Sequence, residues 1–324
     1  MDGNDLQVIS TLRQRAASHP QRIVLPEGQD TRVLHAANLL AERGWCTPVV
    51  CDPDPAIPLH RMVQTISVSD PELMDRAALQ LVENRKNKGV DYETSVEMIK
   101  NPLLFAALLV RTGFVNGSVA GSLAATANVI RAGLYGIGTP PGRKLVSSFF
   151  LMQLPDRAVT YADCGVVPDP SDQELAEIAV AAANNHALLT GEIPKVAMLS
   201  FSTRGSATHR HIDKVVSATE IARALAPEIE IDGELQFDAA WVPQVAARKA
   251  PDSKVAGQAN VFIFPDLASG NIAYKITERL AGAQALGPLV QGLRQPCMDL
   301  SRGCSVQDIA DVAVIASVMA TGNH

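Results

Sequence analysis

A strand, a capped helix and a second strand follow one another within about thirty residues near the start of this chain, and that succession limits the folds open to it. Arg22 to Leu25 is a short β-rich run that stops at Pro26-Glu27-Gly28. Asp30 is placed to cap a helix whose apolar positions Val33, Leu34, Ala37 and Leu40 recur at helical spacing until Gly44 ends it. Thr47 to Cys51 is then a second strand. Strand, helix, strand at this spacing is a βαβ unit and predicts a parallel sheet covered by helices.

The alternation continues to the far end. Residues 5–18 read as a first helix, with Leu6, Ile9, Leu12 and Ala16 near one face. Met62 to Val68 reads as strand, Pro71 to Asn84 and Asn101 to Arg111 as helices, and Phe114 to Gly121 as strand and turn. Gly136 to Gly142 then packs three Gly and two Pro into seven residues, and we read it as a domain crossing. Beyond it, Leu145 to Met152 and Ala158 to Asp163 are strand-like, and Ser171 with Glu174 forms a capping box for a helix to Leu189. Strands at Lys195 to Phe201, Glu228 to Gly233, Asn260 to Phe264 and Leu289 to Leu293 alternate with helices over Ala218 to Leu225, from Asp238 through Ala247, and after Gly270-Asn271. Ile309 to Met319 is the closing helix. At 324 residues, two domains are favoured over one.

Composition excludes several partners. The net charge of -6, with no block of Lys and Arg, argues against nucleic acid. No uninterrupted apolar stretch is long enough to span a membrane, and no basic-then-apolar leader opens the chain. The five cysteines are scattered, odd in number and without a C-x-x-C pair, which fits a reducing cytoplasm.

The stretch richest in chemistry runs from Pro296 to Asp308. Asp299 and Asp308 flank a Ser301-Arg302-Gly303 turn. Ser301 offers a hydroxyl, Arg302 a rigid five-donor fork suited to phosphate, and Asp308 can be carried back towards them at the start of the last helix. This is a constellation for an anionic substrate and a proton transfer.

Other familiar motifs are missing: G-x-G-x-x-G after a strand, G-x-x-x-x-G-K-[ST], G-x-S-x-G and H-E-x-x-H. His209 and His211 read as surface histidines at a helix start, since no Cys or acidic pair nearby completes a metal geometry. Asp163, Asp238 and Asp266 stand at strand ends, where capping and loop bonding explain them better than Mg²⁺. What remains is arginine and hydroxyl chemistry: Arg85, Arg131, Arg279 and Arg302 with Ser301, Ser202 and Thr203. The run Arg85-Lys86-Asn87-Lys88-Gly89 is open to two readings, a solvated helix end or an arm that holds phosphate. The arginines as a set either converge on one anion or disperse into structural ion pairs, and residue chemistry leaves both open.

Longer stretches resemble the phosphate acetyltransferase/butyryltransferase family. They include Lys195 to Thr203 with Gly205-Ser206-Ala207, Asp232 to Gln236 with Asp238-Ala239-Ala240, Lys249-Ala250-Pro251, Ala259 to Leu267, Gly270-Asn271 and Asp299 to Cys304. Thr126 to Leu134 and Arg302 to Asp308 are most similar to the ethanolamine-utilisation type. The resemblance implies two α/β domains with a cleft between them, similar to isocitrate and isopropylmalate dehydrogenases, the second inserted in the first. It places the first domain at residues 1–142 and 291–324 and the second, expected to dimerise, at 143–290. The implied reaction moves an acetyl group between CoA and inorganic phosphate, with no metal and no tightly bound cofactor; acetyl-CoA is a substrate. The implied setting is cytoplasmic, in or near a bacterial microcompartment, as a homodimer.

By the same resemblance Asp308 is the base that takes the CoA thiol proton in the acetyl-phosphate direction. Ser301 bonds near the reacting carbonyl or thiol, and Arg302 holds phosphate and steadies the tetrahedral intermediate. Arg85, Arg131, Arg279, Ser202 and Thr203 are implied to bind CoA or phosphate. Met298 and Ala132 depart from the family pattern, which has Asn and Pro there in many members. A butyryl-transferring enzyme is the nearest rival, and a non-catalytic module that binds CoA or phosphate is a rival of another class.

Overall fold

The structure, a computed structural model, describes residues 7–322, so the expected helix start at 5, with Leu6, lies outside the described residues. The chain divides into two compact units, Met1–Lys144 with Leu293–His324, and Leu145–Gly292. The first unit opens with α1 (Gln7–Ser18), β1 (Arg22–Leu25), α2 (Thr31–Arg43), β2 (Thr47–Cys51) and β3 (Gln64–Ile66). It continues with α3 (Pro71–Arg85), α4 (Tyr92–Met98), α5 (Pro102–Arg111), β4 (Gly117–Ala120) and α6 (Thr126–Gly136). The second unit holds β5 (Ser147–Gln153), β6 (Ala158–Ala162), α7 (Asp172–Thr190), β7 (Lys195–Leu199), α8 (Arg210–Leu225) and β8 (Glu230–Leu235). It is completed by α9 (Phe237–Trp241), α10 (Pro243–Lys249), β9 (Val261–Ile263), α11 (Leu267–Leu280) and β10 (Gln284–Gln291). The chain then returns to the first unit as β11 (Cys297–Asp299) and α12 (Val306–Thr321).

The first unit is built on a parallel sheet in the order β11-β4-β1-β2-β3. The βαβ opening forms as its residues dictate: Asp30 accepts the Arg32 N–H at 2.9 Å, and Gly44 takes the left-handed conformation (φ 65°) that closes α2. Asn101 caps α5, whose residues Leu103 to Val110 are all buried, so the helix sits inside an apolar layer with α3 and α6. The other layer holds α1, α2 and α12. Helix α12 is buried along Ile309 to Met319, and its Asp311 pairs with Arg13 of α1 at 2.8 Å. The Gly/Pro stretch meets the returning chain inside this unit, where Arg294 N donates to Gly138 O and Arg294 Nε to Thr139 O.

Strand β11 lies just before the Ser301-Arg302-Gly303 turn, in a stretch to which the sequence assigns no strand. Three residues, Cys297-Met298-Asp299, suffice for it because β4 supplies a parallel partner at Ser118 to Ala120.

The second unit carries a six-stranded sheet, β10-β5-β6-β9-β7-β8. Strands β6, β9, β7 and β8 run parallel, while β5 and β10 are antiparallel to their neighbours. The turn at 154–157 is too short for the crossover that a parallel β5–β6 pair needs, so this sheet is mixed rather than uniformly parallel. The capping box of Ser171 and Glu174 is present at α7. The helix expected through Ala247 is broken at Pro243, because Val242 before it must stay extended (φ -98°, ψ 114°). Among the described residues no helix is long and apolar enough to cross a membrane.

Candidate active site

The Ser301-Arg302-Gly303 turn stands at the carboxyl end of β11, the edge where an open parallel sheet presents ligand-binding loops. Leu300 N donates to Ala120 O at 2.8 Å, and the chain leaves the sheet after it. Cys304 N then closes the turn on Ser301 O at 2.9 Å, while Gly303 N donates to Ser301 Oγ at 3.3 Å. That hydroxyl accepts from within the turn, so its own hydrogen is available to a ligand. Ser301, Arg302 and Gly303 are exposed, and among the described residues no acceptor engages the Arg302 guanidinium.

Asp308 lies one turn on, as the third residue of α12. It forms a capping box: Oδ2 accepts from Ser305 N at 2.8 Å and Ser305 Oγ at 2.9 Å, and Asp308 N donates back to Ser305 Oγ at 3.1 Å. The cap uses Oδ2 and leaves Oδ1 outside it. Ser301, Arg302 and Asp308 therefore share one loop-to-helix junction. Burial pushes the neighbouring Cys304 thiol above its ordinary value, which disfavours a thiolate nucleophile there.

Three residues that sequence reading gave no role at this site hold the junction. Arg32 donates from Nη1 to Arg302 O and Cys304 O, each at 2.9 Å, and from Nη2 to Ser122 O at 3.0 Å. Its remaining N–H groups reach Asp30, Nε to Oδ1 at 3.1 Å and Nη2 to Oδ2 at 2.7 Å. Burial works against the Asp30 carboxylate, but the Arg32 hydrogen bonds outweigh it and hold the group below its ordinary range. Glu27, buried at the end of β1, accepts from the backbone N–H groups of Gly121, Ser122, Leu123 and Ala124 and from Ser122 Oγ, at 2.7–3.1 Å. A readable sign existed: a cation in the first turn of a helix opposes the helix dipole, so Arg32 had to be held by something else.

Asp299 is buried behind the turn. Its Oδ2 accepts from Thr126 Oγ1 at 2.6 Å, while Oδ1 has no partner among the described residues. Burial pushes its carboxyl up to about 6, the negative Glu27 adds to this, and the Thr126 hydroxyl offsets part of it. Met298 is wholly buried in β11, and Ala132 is buried on α6, so neither departure from the family pattern lies on the exposed turn.

Arg85 and Arg131 both meet α6. The Arg85 guanidinium lies 4.0 Å over the Tyr135 ring. Arg131, one turn earlier on α6, reaches Asn128 at 3.5 Å and lines a 160 Å³ cavity with Asn128 and Tyr135. Of the two readings of the Arg85 run, the structure places Arg85 on a neighbouring aromatic ring and Lys86 in an exposed pair with Glu83.

The other named residues lie in the second unit. Ser202 and Thr203 are buried in the loop after β7. Ser202 Oγ donates to Glu234 at 2.8 Å, and Thr203 Oγ1 accepts from Gln236 N at 2.9 Å. The same loop borders a 550 Å³ cavity, but through Ser200 and Phe201, opposite Phe237, Phe264 and Lys214. Arg279 is highly exposed near the end of α11, with Glu278 at 3.5 Å. Asp163 and Asp266 bond backbone N–H groups of the loop or helix that follows each, and Asp238 pairs with Lys249 at 2.9 Å. His209 caps α8.

Comparison with known proteins agrees with the architecture. The family model described as phosphate acetyl/butaryl transferase matches residues 7–317. A phosphate acetyltransferase of Thermoanaerobacterium thermosaccharolyticum is 44% identical, over 97% of this chain and all of that one. The structure of an EutD phosphotransacetylase from Staphylococcus aureus superposes with a TM-score of 0.90 at 39% identity, covering 97% of this chain and 98% of that one. A 4-hydroxythreonine-4-phosphate dehydrogenase from Klebsiella pneumoniae shares the fold alone, with a TM-score of 0.53 at 12% identity over 93% of this chain and 99% of that one. The chain thus belongs to the phosphate acetyl/butyryl transferase family.

Proposed function

We propose that this chain is a phosphate acetyltransferase, an acyltransferase that moves acetyl reversibly between CoA and inorganic phosphate. The observation that carries the reading is the single loop-to-helix junction that carries Ser301, an Arg302 guanidinium unclaimed among the described residues, and the Asp308 carboxylate. A guanidinium there is suited to phosphate and to the oxyanion of a tetrahedral intermediate, where charge develops beyond that of the ground state. Ser301 can donate to the same carbonyl oxygen or to the thiol.

Proton balance decides when Asp308 is a base. The CoA thiol loses its proton when sulfur attacks the carbonyl carbon of acetyl phosphate, so Asp308 accepts it in acetyl-CoA formation. In the opposite direction phosphate gives its proton to Asp308 as its oxygen attacks the thioester, and Asp308 passes that proton to the departing thiolate. The direction expected from sequence is reversed on this ground. Direct transfer needs no covalent acyl-enzyme, in keeping with the raised Cys304 thiol.

Arg85 and Arg131, both against α6, and Arg279 are candidate contacts for the CoA and phosphate anions. Ser202 and Thr203 serve by holding their loop to Glu234 and Gln236. A homodimer through the second unit accords with α11, whose Ile272, Ile276 and Leu280 are exposed on successive turns. Sedimentation of wild type against Ile276→Lys tests it, and an unchanged mass removes that interface. A place in ethanolamine breakdown, in the cytoplasm or near a microcompartment, accords with the likeness to the EutD structure. A deletion strain that grows normally on ethanolamine would remove it.

The deciding assay is phosphate-dependent release of CoA from acetyl-CoA, run with a panel of acyl chains on wild type, Arg302→Ala and Asp308→Asn. Wild type should prefer acetyl. Asp308→Asn keeps an oxygen for the helix cap but loses the base, and should fall by about 10²–10⁴-fold. Wild type without phosphate dependence refutes the function, and an Asp308→Asn variant at full rate refutes the base.

A further inference from the structure

We infer that Arg32 is a positioning residue for acetyl transfer, aiming Arg302 by holding the main chain of its turn; this rests on the reading above. The guanidinium has five N–H groups, and all five are in use: two on Arg302 O and Cys304 O, one on Ser122 O and two on the Asp30 carboxylate. Two of these bonds bracket Gly303, the most deformable residue of the turn, so Arg32 limits the freedom that Gly303 introduces. The third ties the β11–α12 turn to the β4–α6 loop, whose N–H groups are gathered on Glu27. Arg32 and Glu27 both come from the short segment after β1, the strand at the middle of the sheet. The segment Glu27 to Arg32 is thus a clamp joining the ends of three adjacent strands, and the exposed guanidinium of Arg302 projects from the clamped backbone.

Lysine cannot replace Arg32 in this role. It is a point cation with three donors against five placed acceptors, so at least two of the present bonds are lost. A charge-stabilising group displaced by about 1 Å costs on the order of 100-fold in rate, whereas remote substrate contacts are untouched.

The test compares wild type, Arg32→Lys, Arg302→Lys and the double variant of the full chain, with acetyl phosphate and CoA varied in turn. Arg32→Lys should lower kcat by about 10- to 100-fold and leave KM for CoA within about twofold. On the Arg302→Lys background the same change should cost less than about threefold, because the side chain it aims is already altered. Equal losses on both backgrounds, or a kcat for Arg32→Lys within twofold of wild type, overturn the inference. If Arg32→Lys does not fold, Asp30→Asn carries the test: asparagine still caps α2 but weakens the grip on Arg32, and an unchanged kcat overturns the inference. A wild type without phosphate-dependent turnover sinks the catalytic reading and this inference together. Active wild type, a slow Arg302→Lys and a fast Arg32→Lys sink this inference alone.

Discussion

Replacing Asp299 by asparagine should change how stability depends on pH. The carboxyl is almost fully buried, one oxygen has no partner among the described residues, and burial with the nearby Glu27 raises it from an ordinary 3.8 to about 6. A folded state that holds the proton more tightly than the unfolded chain is favoured at low pH, and that advantage disappears as pH rises through about 6. The gap amounts to about 3 kcal/mol, of which about half is already gone at pH 5 and all of it by pH 8. Asparagine does not titrate. Urea titrations of wild type and Asp299→Asn at pH 5 and pH 8 should therefore show the difference between them moving by about 1–2 kcal/mol in the variant's favour at the higher pH, with similar m values. Titrating groups that do not interact with Asp299 cancel in that comparison, as does any fixed cost of fitting the amide, and the coupled Glu27 belongs to the effect measured. A difference that is the same at both pH values would refute the argument that Asp299 is an ionised carboxylate held at a cost.

Three further substitutions probe the same unit. Ser305→Ala removes the hydroxyl that both accepts from Asp308 N and donates to its carboxylate; it should cost about 1 kcal/mol in thermal unfolding and lower kcat, with Ser305→Thr restoring most of both. Gly121→Ala places a methyl group 2.5 Å from Asp299 Oδ1 and 2.7 Å from the Leu300 backbone at a φ of 109°, so a loss of about 3 kcal/mol is expected in the melting curve. Asp311→Ala removes the buried carboxylate that joins α12 to Arg13 of α1 and should cost about 1–3 kcal/mol in urea unfolding, whereas Asp311→Asn, which keeps an acceptor oxygen, recovers part of it.

What could be read from the sequence divides by the reach of the interactions involved. The Asp30 cap, the Ser171–Glu174 box and the apolar run of α12 rest on residues a few positions apart, and all three form as read. Strand β11 does not announce itself, because its three residues show no alternation and its partner β4 lies far back in the chain. The break at Pro243 was legible in principle, since proline constrains the residue before it.

The candidate site divides in the same way, and the division is physical. Residues that meet a substrate must carry particular chemistry, so Ser301, Arg302 and Asp308 stand out by type and by mutual spacing. Residues that hold them need only the right partner, and partners arrive by folding: Arg32 meets carbonyls 270 and 272 positions away, and Glu27 gathers N–H groups more than 90 positions on. The same reach shapes the loop after β7. Ser202 and Thr203 have the composition of a ligand loop, yet the acceptor that claims Ser202 comes from β8, 32 positions later. A hydroxyl or guanidinium is free for a ligand only if no distant segment has already taken it. That condition separates Arg302, still unclaimed among the described residues, from Arg32, whose five donors are all engaged.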